Sequence, residues 1–170
     1  MAEGPEKGVP MEREAIKTMR RTEREITDPQ AIRAIMEEAR VCRIGLADGG
    51  MPYVVPMNFG LGKNCIYLHC AAEGRKLDII RRNDRVCFEM DLFREVILGQ
   101  SPCGCSCRYE SVIGFGRAAA VDDQGEKKAA LDRIMEHYGQ QVPSAYKPDI
   151  FEKTTVIRIA IERLTAKRRE

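Results

Sequence analysis

Closely spaced turns divide the middle of this chain into short apolar segments. Asp48-Gly49-Gly50 separates residues 41–47 from residues 53–61. Gly62-Lys63-Asn64 then separates that second segment from residues 65–70. Each segment has the length of a strand, and turns of two or three residues join antiparallel neighbours, because parallel strands need a long crossover connection. The sequence therefore predicts an antiparallel meander and not a parallel sheet.

Helices are predicted on both sides of these strands. Apolar residues recur at helical spacing over residues 32–39, after a start at Pro29 that Thr27 or Asp28 can cap. A short helix is predicted from Arg75 to about Arg82, and another follows the turn at residues 122–123. Further strands are predicted over residues 86–98, 108–121 and 155–165. The predicted fold class is mainly β, a small antiparallel β-barrel with flanking helices.

The charge and hydropathy of the chain exclude several classes of function. The net charge of +2, from 28 basic and 26 acidic residues, offers no electrostatic reason to expect nucleic-acid binding. No apolar run approaches the roughly 20 residues that span a bilayer. We therefore expect neither a nucleic-acid partner nor a membrane segment.

Location and domain organisation follow from the ends of the chain and from its cysteines. Residues 1–19 mix glycine and proline with charges, which predicts a flexible tail, and residues 20–170 are predicted to form a single domain. The first fifteen residues lack the apolar core of a signal peptide. Seven cysteines without such a signal predict free thiols in a reducing cytoplasm.

The segment 66–80 carries the clearest signal for a binding site. It combines a strand, a small-residue loop with a glycine, and two cations, Arg75 and Lys76, at a helix start. Backbone N–H groups and paired cations favour an anion, usually a phosphate. A solvent-exposed helix turn is the alternative interpretation. Two cations at a helix N-terminus are unfavourable by about a few tenths of a kcal/mol each, and a bound anion would remove that conflict.

Other side chains allow both a structural and a functional interpretation. His69 ends the strand before this loop, where it could bind a backbone carbonyl or contact a ligand, and a pKa near 6.5 makes both protonation states accessible. Cys103, Cys105 and Cys107 could be free thiols in a loop or three ligands of a metal site, although no fourth ligand is evident.

Several segments of the chain, taken in order, match one family pattern. They are residues 19–21 with 25–28, 52–60, 66–76, 108–118 and 167–169. Together they extend over nearly everything from Met19 to the end. In these segments the chain resembles the flavin-binding split-barrel proteins related to pyridoxamine 5'-phosphate oxidase, and most closely their nitroimidazole-resistance (Nim) branch.

The resemblance implies a six-stranded antiparallel split β-barrel that forms a homodimer, with FMN at two sites between the subunits. The residues implied at the cofactor are Val54, Val55, Pro56, Met57, Asn58, His69, Arg75, Lys76, Ser111, Lys167 and Arg168. Arg75 and Lys76 would hold the phosphate, and residues 54–58 would run along the isoalloxazine ring and ribityl chain. Ser111 would reach the flavin from the other subunit, and Lys167 or Arg168 would lie near the site.

The resemblance also implies an activity. His69 matches a histidine typical of the Nim branch, whereas the chain lacks tryptophan and the C-terminal Arg/His motif of the oxidase. An FMN-dependent oxidoreductase that reduces nitroaromatic or similar electron-poor small molecules is therefore expected, with His69 as the candidate catalytic residue. NAD(P)H would have to bind transiently at the open flavin face, since there is no Rossmann motif. The alternative is a flavin- or haem-binding carrier or sensor without turnover, with His69 as a candidate iron ligand.

Overall fold

A computed structural model of the chain describes residues 19–170. The strands are β1 (Glu25–Ile26), β2 (Cys42–Asp48), β3 (Met51–Met57), β4 (Phe59–Leu61), β5 (Cys65–Ala71), β6 (Arg85–Ile97), β7 (Ser106–Ala120) and β8 (Thr154–Arg169). The helices are α1 (Pro29–Glu38), α2 (Arg75–Arg82), α3 (Gln124–His137) and α4 (Pro148–Lys153). The predicted tail, residues 1–19, lies outside the described residues except for Met19.

The strands form one antiparallel sheet that closes into a barrel. Their order is β3-β2-β6-β7-β8-β5-β4, and β1 pairs with the end of β8. β3 and β4 stand at opposite ends of this order, yet only Asn58 separates them in the chain. The two edges of the sheet must therefore meet at Asn58. Six strands of at least seven residues and two shorter ones make up this barrel, which confirms the predicted fold class.

Strand alternation places the core inside the barrel. On β6, the side chains of Val86, Phe88 and Met90 are buried, with 4%, 0% and 0% of their surface exposed, and the residues between them face outward. Burying a side chain such as Phe88 contributes about 1.5–3 kcal/mol. α1 packs on β6 and β7, α2 packs on β2 and β7, and α3 covers β4 and β5 from outside. Within residues 19–170, no helix has both the length and the apolar character needed to cross a membrane.

The structure confirms several predicted elements and corrects others. α1 begins at Pro29, where the Asp28 carboxylate accepts the N–H groups of the next turn at 3.1 and 3.3 Å, and α2 has its predicted bounds. The strand predicted over residues 53–61 is broken at Asn58, because its two halves pair with different strands. The last strand was predicted over residues 155–165, but it extends to Arg169, because residues 167–169 also pair with β7. α4 was not predicted; Pro148 occupies its first turn.

Candidate functional site

The barrel wall divides beside Asn58. β3 pairs with β2 over its whole length, and β4 pairs only with residues 66–68 of β5. Among the described strands, nothing pairs with the outer edge of β3 or with the facing edge of residues 69–71. We call the region between these unpaired edges, bordered by β3, Asn58 and residues 69–71, the β3–β5 cleft. Unpaired backbone N–H and C=O groups along its edges are available to a ligand.

The residues of β3 present an apolar surface to this cleft. Val54 and Pro56 are exposed, as is Asn58, whereas Val55 and Met57 are half-buried against the core. Val54 is 63% exposed, which is high for a large apolar side chain. Exposed apolar side chains beside unpaired backbone groups suit a flat aromatic ligand that also forms hydrogen bonds.

A short loop, residues 72–74, connects the end of β5 to the start of α2 and ends at Gly74. Gly74 has φ +139° and ψ 159°, a conformation essentially restricted to glycine. Its carbonyl oxygen accepts the N–H groups of Leu77 and Asp78 at 2.9 and 3.2 Å. In the described part of the chain, the N–H groups of Arg75 and Lys76 have no acceptor. The first turn of α2 therefore has donors available for an anion.

The cations of α2 differ between its two ends. Neither Arg75 nor Lys76 lies within 4.0 Å of a carboxylate among residues 19–170. Arg81 and Arg82, at the other end, each bind a carboxylate at 2.8 Å. The helix therefore carries two available positive charges where it faces the cleft and two neutralised ones where it does not.

Arg75 contacts β3 through an aromatic ring. Its guanidinium carbon lies over the ring of Tyr53, 4.7 Å from the centroid. Tyr53 is half-buried and packs against the barrel core. The two parts of the predicted site, β3 and α2, are thus in contact. Tyr53 had no predicted role, although an inward-facing aromatic residue immediately before Val54 was a signal that could have identified it.

His69 lies where the barrel wall divides. Continuing the β4–β5 register by one residue from the Phe59–Leu68 pair places Asn58 opposite His69. His69 is partly exposed to solvent, and its imidazole forms no hydrogen bond with any described residue. Partial burial lowers the pKa of His69 below its usual 6.5, so the neutral form predominates at pH 7. His69 is therefore placed to contact a ligand in the cleft.

The remaining predicted residues lie elsewhere on the chain. Ser111 and Lys167 are Cα partners on β7 and β8, and both point away from the barrel interior. On β8, Val156 is the partner of His69, and Lys167 lies eleven residues further along the strand. At 3.3 Å per residue this is roughly 36 Å of strand. Along β8, the two groups are therefore widely separated within one chain.

Arg168 binds a carboxylate of its own chain. Its guanidinium contacts Glu110 at 2.7 and 2.8 Å, and Arg94 contacts the same carboxylate at 2.6 Å. Arg94 also binds Glu38 of α1. Burial alone would raise the pKa of Glu110, but Arg94 and Arg168 hold it below its usual value. Glu110 had no predicted role, although a carboxylate on the buried side of a strand indicates a charged partner.

The cysteine cluster is divided between two elements. Cys103 lies in the short 3-10 turn Pro102–Gly104, Cys105 follows it, and only Cys107 is on β7. The three side chains therefore do not share one face of a strand, as regular strand spacing would have placed them. Within residues 19–170, no three His, Cys, Asp or Glu side chains are grouped so as to hold a metal ion.

A comparison with protein families gives one match over most of the chain. The family profile described as "Pyridoxamine 5'-phosphate oxidase" matches residues 28–168. That range contains the β3–β5 cleft, both cations of α2, and the Ser111 and Lys167 pair. Curated protein sequences gave no significant match.

Solved structures are also similar to this chain. A candidate 5-nitroimidazole antibiotic resistance protein from Bacteroides thetaiotaomicron is 35% identical over 84% of this chain and 85% of that chain, with a TM-score of 0.75. Flavocytochrome Anf3 from Azotobacter vinelandii is 20% identical, with 90% and 72% covered and a TM-score of 0.79. The FAD and heme binding protein from Mycobacterium smegmatis is 18% identical, with 86% and 74% covered and a TM-score of 0.74. The first match confirms the resemblance seen in the sequence, and the other two show a common fold.

Proposed function

Because this chain belongs to the pyridoxamine 5'-phosphate oxidase family, we propose that it binds FMN in the β3–β5 cleft and reduces nitroaromatic or similar electron-poor small molecules. The observation that carries the proposal is the pair of available cations, Arg75 and Lys76, at the end of an apolar cleft with unpaired backbone. FMN has the two matching ends, a phosphate and a flat ring. When bound, it would supply the electron-transfer chemistry.

The residues of the cleft suit the two ends of FMN differently. Arg75, Lys76 and the N–H groups of their turn would bind the phosphate. Residues 54–58 would lie along the ring and ribityl chain, where Val54 offers apolar contact and the unpaired edge of β3 offers hydrogen bonds. Asn58 and His69 would contact the ring, because extending the β4–β5 register by one residue brings them opposite each other.

We further propose that the site is shared between two copies of the chain. Within one chain, Ser111 and Lys167 lie far along the β7–β8 pair from the β8 partner of His69. In a homodimer, the Ser111 and Lys167 of one copy could approach the cleft of the other. Arg168 would take a smaller part, since Glu110 occupies its guanidinium.

All seven cysteines are free thiols, in keeping with the cytoplasmic location that we propose.

His69 would act by proton transfer or by contact with the substrate. Reduction of a nitro group consumes protons as well as electrons, and an exposed imidazole with no hydrogen-bond partner among the described residues can deliver them. Because the pKa of His69 lies below 6.5, the protonated fraction falls as the pH rises through that lower value. A proton-donating role therefore predicts a turnover that increases towards acid pH. NAD(P)H is the proposed source of electrons.

The absorption spectrum of the purified protein tests the cofactor. Flavin gives bands at about 375 and 450 nm, and release of the cofactor by denaturation followed by chromatography separates FMN from FAD. A Soret band without flavin bands would contradict the proposal and favour a haem carrier or sensor. That alternative has some support, because two structures of the same fold are a flavocytochrome and an FAD and heme binding protein, and the imidazole of His69 is available as an iron ligand.

Affinity measurements test the phosphate contact. Arg75→Ala and Lys76→Ala should each weaken FMN binding about 10- to 100-fold, since a charge-assisted hydrogen bond contributes about 1.5–3 kcal/mol. Riboflavin, which lacks the phosphate, should lose little. Arg81→Ala is the matched control, because it removes the same charge from the other end of α2. Equal losses for FMN and riboflavin would contradict the phosphate assignment.

Turnover tests the activity. A 5-nitroimidazole should oxidise the reduced flavoprotein under anaerobic conditions, and the return of the absorption band at about 450 nm measures the rate. His69→Ala should slow this oxidation while FMN remains bound. Reduction of the oxidised protein by NADH and by NADPH, measured separately, identifies the electron donor. A flavoprotein that no nitroaromatic compound reoxidises would contradict the reductase assignment and leave the flavin assignment standing.

A further inference from the structure

The contact between Tyr53 and Arg75 differs from the other arginine contacts of α2. Arg81 and Arg82 are held by carboxylates, which use their N–H donors and neutralise their charges. Arg75 is held by a ring face at 4.7 Å, which does neither. A guanidinium has its five N–H donors around the edge of its plane, so contact with a ring face leaves them available.

Tyr53 is a firm support for such a contact. It lies on β3, where its Cα partner is the buried Leu46 of β2, and its ring packs against the core. Its hydroxyl group forms no hydrogen bond with any described residue, so the ring face is the part of Tyr53 that contacts Arg75. Arg75, by contrast, is exposed, and a free arginine side chain loses about 1.5–2 kcal/mol of rotamer entropy when it is immobilised.

We infer that Tyr53 is a positioning residue that orients Arg75 towards the phosphate of the flavin and so favours FMN over riboflavin. The inference rests on the proposed function and deepens it. Tyr53 limits the positions of the guanidinium before the ligand arrives, without occupying a donor or cancelling the charge. Less entropy is then lost on binding the phosphate. The effect reaches only ligands that carry a phosphate at this end.

Two substitutions at Tyr53 separate the ring face from simple packing. Tyr53→Leu keeps an apolar side chain against the core but removes the ring, and Tyr53→Phe keeps the ring but removes the hydroxyl group. Quenching of flavin fluorescence by the apoprotein measures the Kd of FMN and of riboflavin. Tyr53→Leu should weaken FMN binding about two- to five-fold and leave riboflavin binding unchanged, whereas Tyr53→Phe should match the original protein for both.

A double-mutant cycle shows whether Tyr53 acts through Arg75. In an Arg75→Ala background, Tyr53→Leu should cause no further loss of FMN affinity. Equal losses for FMN and riboflavin, an undiminished effect of Tyr53→Leu without Arg75, or FMN affinity unchanged in Tyr53→Leu would each overturn the inference. Failure of the original protein to bind either flavin would instead overturn the proposed function. Far-UV circular dichroism of each variant checks that the fold is retained.

Discussion

Glu110 should contribute measurably to stability, because it holds together three strands and a helix. Its carboxylate accepts hydrogen bonds from Arg94 of β6 at 2.6 and 3.1 Å and from Arg168 of β8 at 2.8 Å. Arg94 extends the network to Glu38 of α1. Glu110→Gln keeps the size of the side chain but removes its charge and one oxygen acceptor, so it isolates the electrostatic contribution.

The loss in the free energy of unfolding expected for Glu110→Gln depends on how exposed Glu110 and its two arginine partners are. A hydrogen bond to a charged group contributes about 1.5–3 kcal/mol, and Glu110 receives such bonds from two arginines. Glu110 is only 9% exposed, but the side chains of Arg94 and Arg168 are 37% and 42% exposed. Water can therefore replace part of the hydrogen bonding that the two arginines lose in the variant. We therefore expect a net loss of about 1.5–3 kcal/mol, which lowers Tm by roughly 3–12 °C in a domain of this size.

Urea unfolding at fixed protein concentration measures this loss, with Glu95→Gln as the matched control. Glu95 pairs with Arg108 on the same two strands, but both side chains are about half exposed, so its loss should stay below about 1 kcal/mol. The folded-state pKa of Glu110 is lowered, so its contribution is present above the unfolded value of 4.5 and is lost as the pH falls below it. Equal losses in the two variants, or a Glu110→Gln loss that does not shrink below pH 4.5, would refute this reasoning.

Three further outcomes are expected. Gly60→Ala should lower stability by about 1–3 kcal/mol, since a Cβ atom there would lie 2.7 Å from the backbone of Arg133 in α3; a Tm within 1 °C of the original would contradict this. His137, whose pKa burial lowers below 6.5, should reduce stability as the pH falls through 6.5, and His137→Gln should flatten that dependence in thermal unfolding. His69→Ala should remove the rise of nitroaromatic reduction towards acid pH, and an unchanged pH profile would leave His69 without a proton-transfer role.

Local residue patterns determined most of the elements of this fold. The cap at Asp28, the bounds of α2 and the turn at residues 48–50 agree with their predictions, because each depends on the conformational preferences of a few adjacent residues. The antiparallel barrel followed from the short turns for the same reason. The resemblance implies a phosphate-binding role for the two cations at the start of α2, and that role is part of the proposed function.

Long-range pairing was beyond the reach of these patterns. The continuous apolar segment breaks at Asn58, because the residues before it pair with β2 and those after it pair with β5. Adjacent residues do not indicate either pairing. Residues 167–169 resemble a basic tail by composition, yet hydrogen bonds to β7 make them a strand. Whether a charged segment is a tail or a strand depends on a neighbour more than forty residues away.

The candidate site shows the same division. Sequence alone identified His69, Arg75 and Lys76 as chemistry-bearing residues, since their types and spacing are local properties. Only the tertiary structure shows that the ring of Tyr53 contacts Arg75, and that Glu110 pairs with Arg168. Both depend on side chains from separate strands and helices meeting in space, and burial and charge pairing, rather than residue type, decide which cation is available to a ligand.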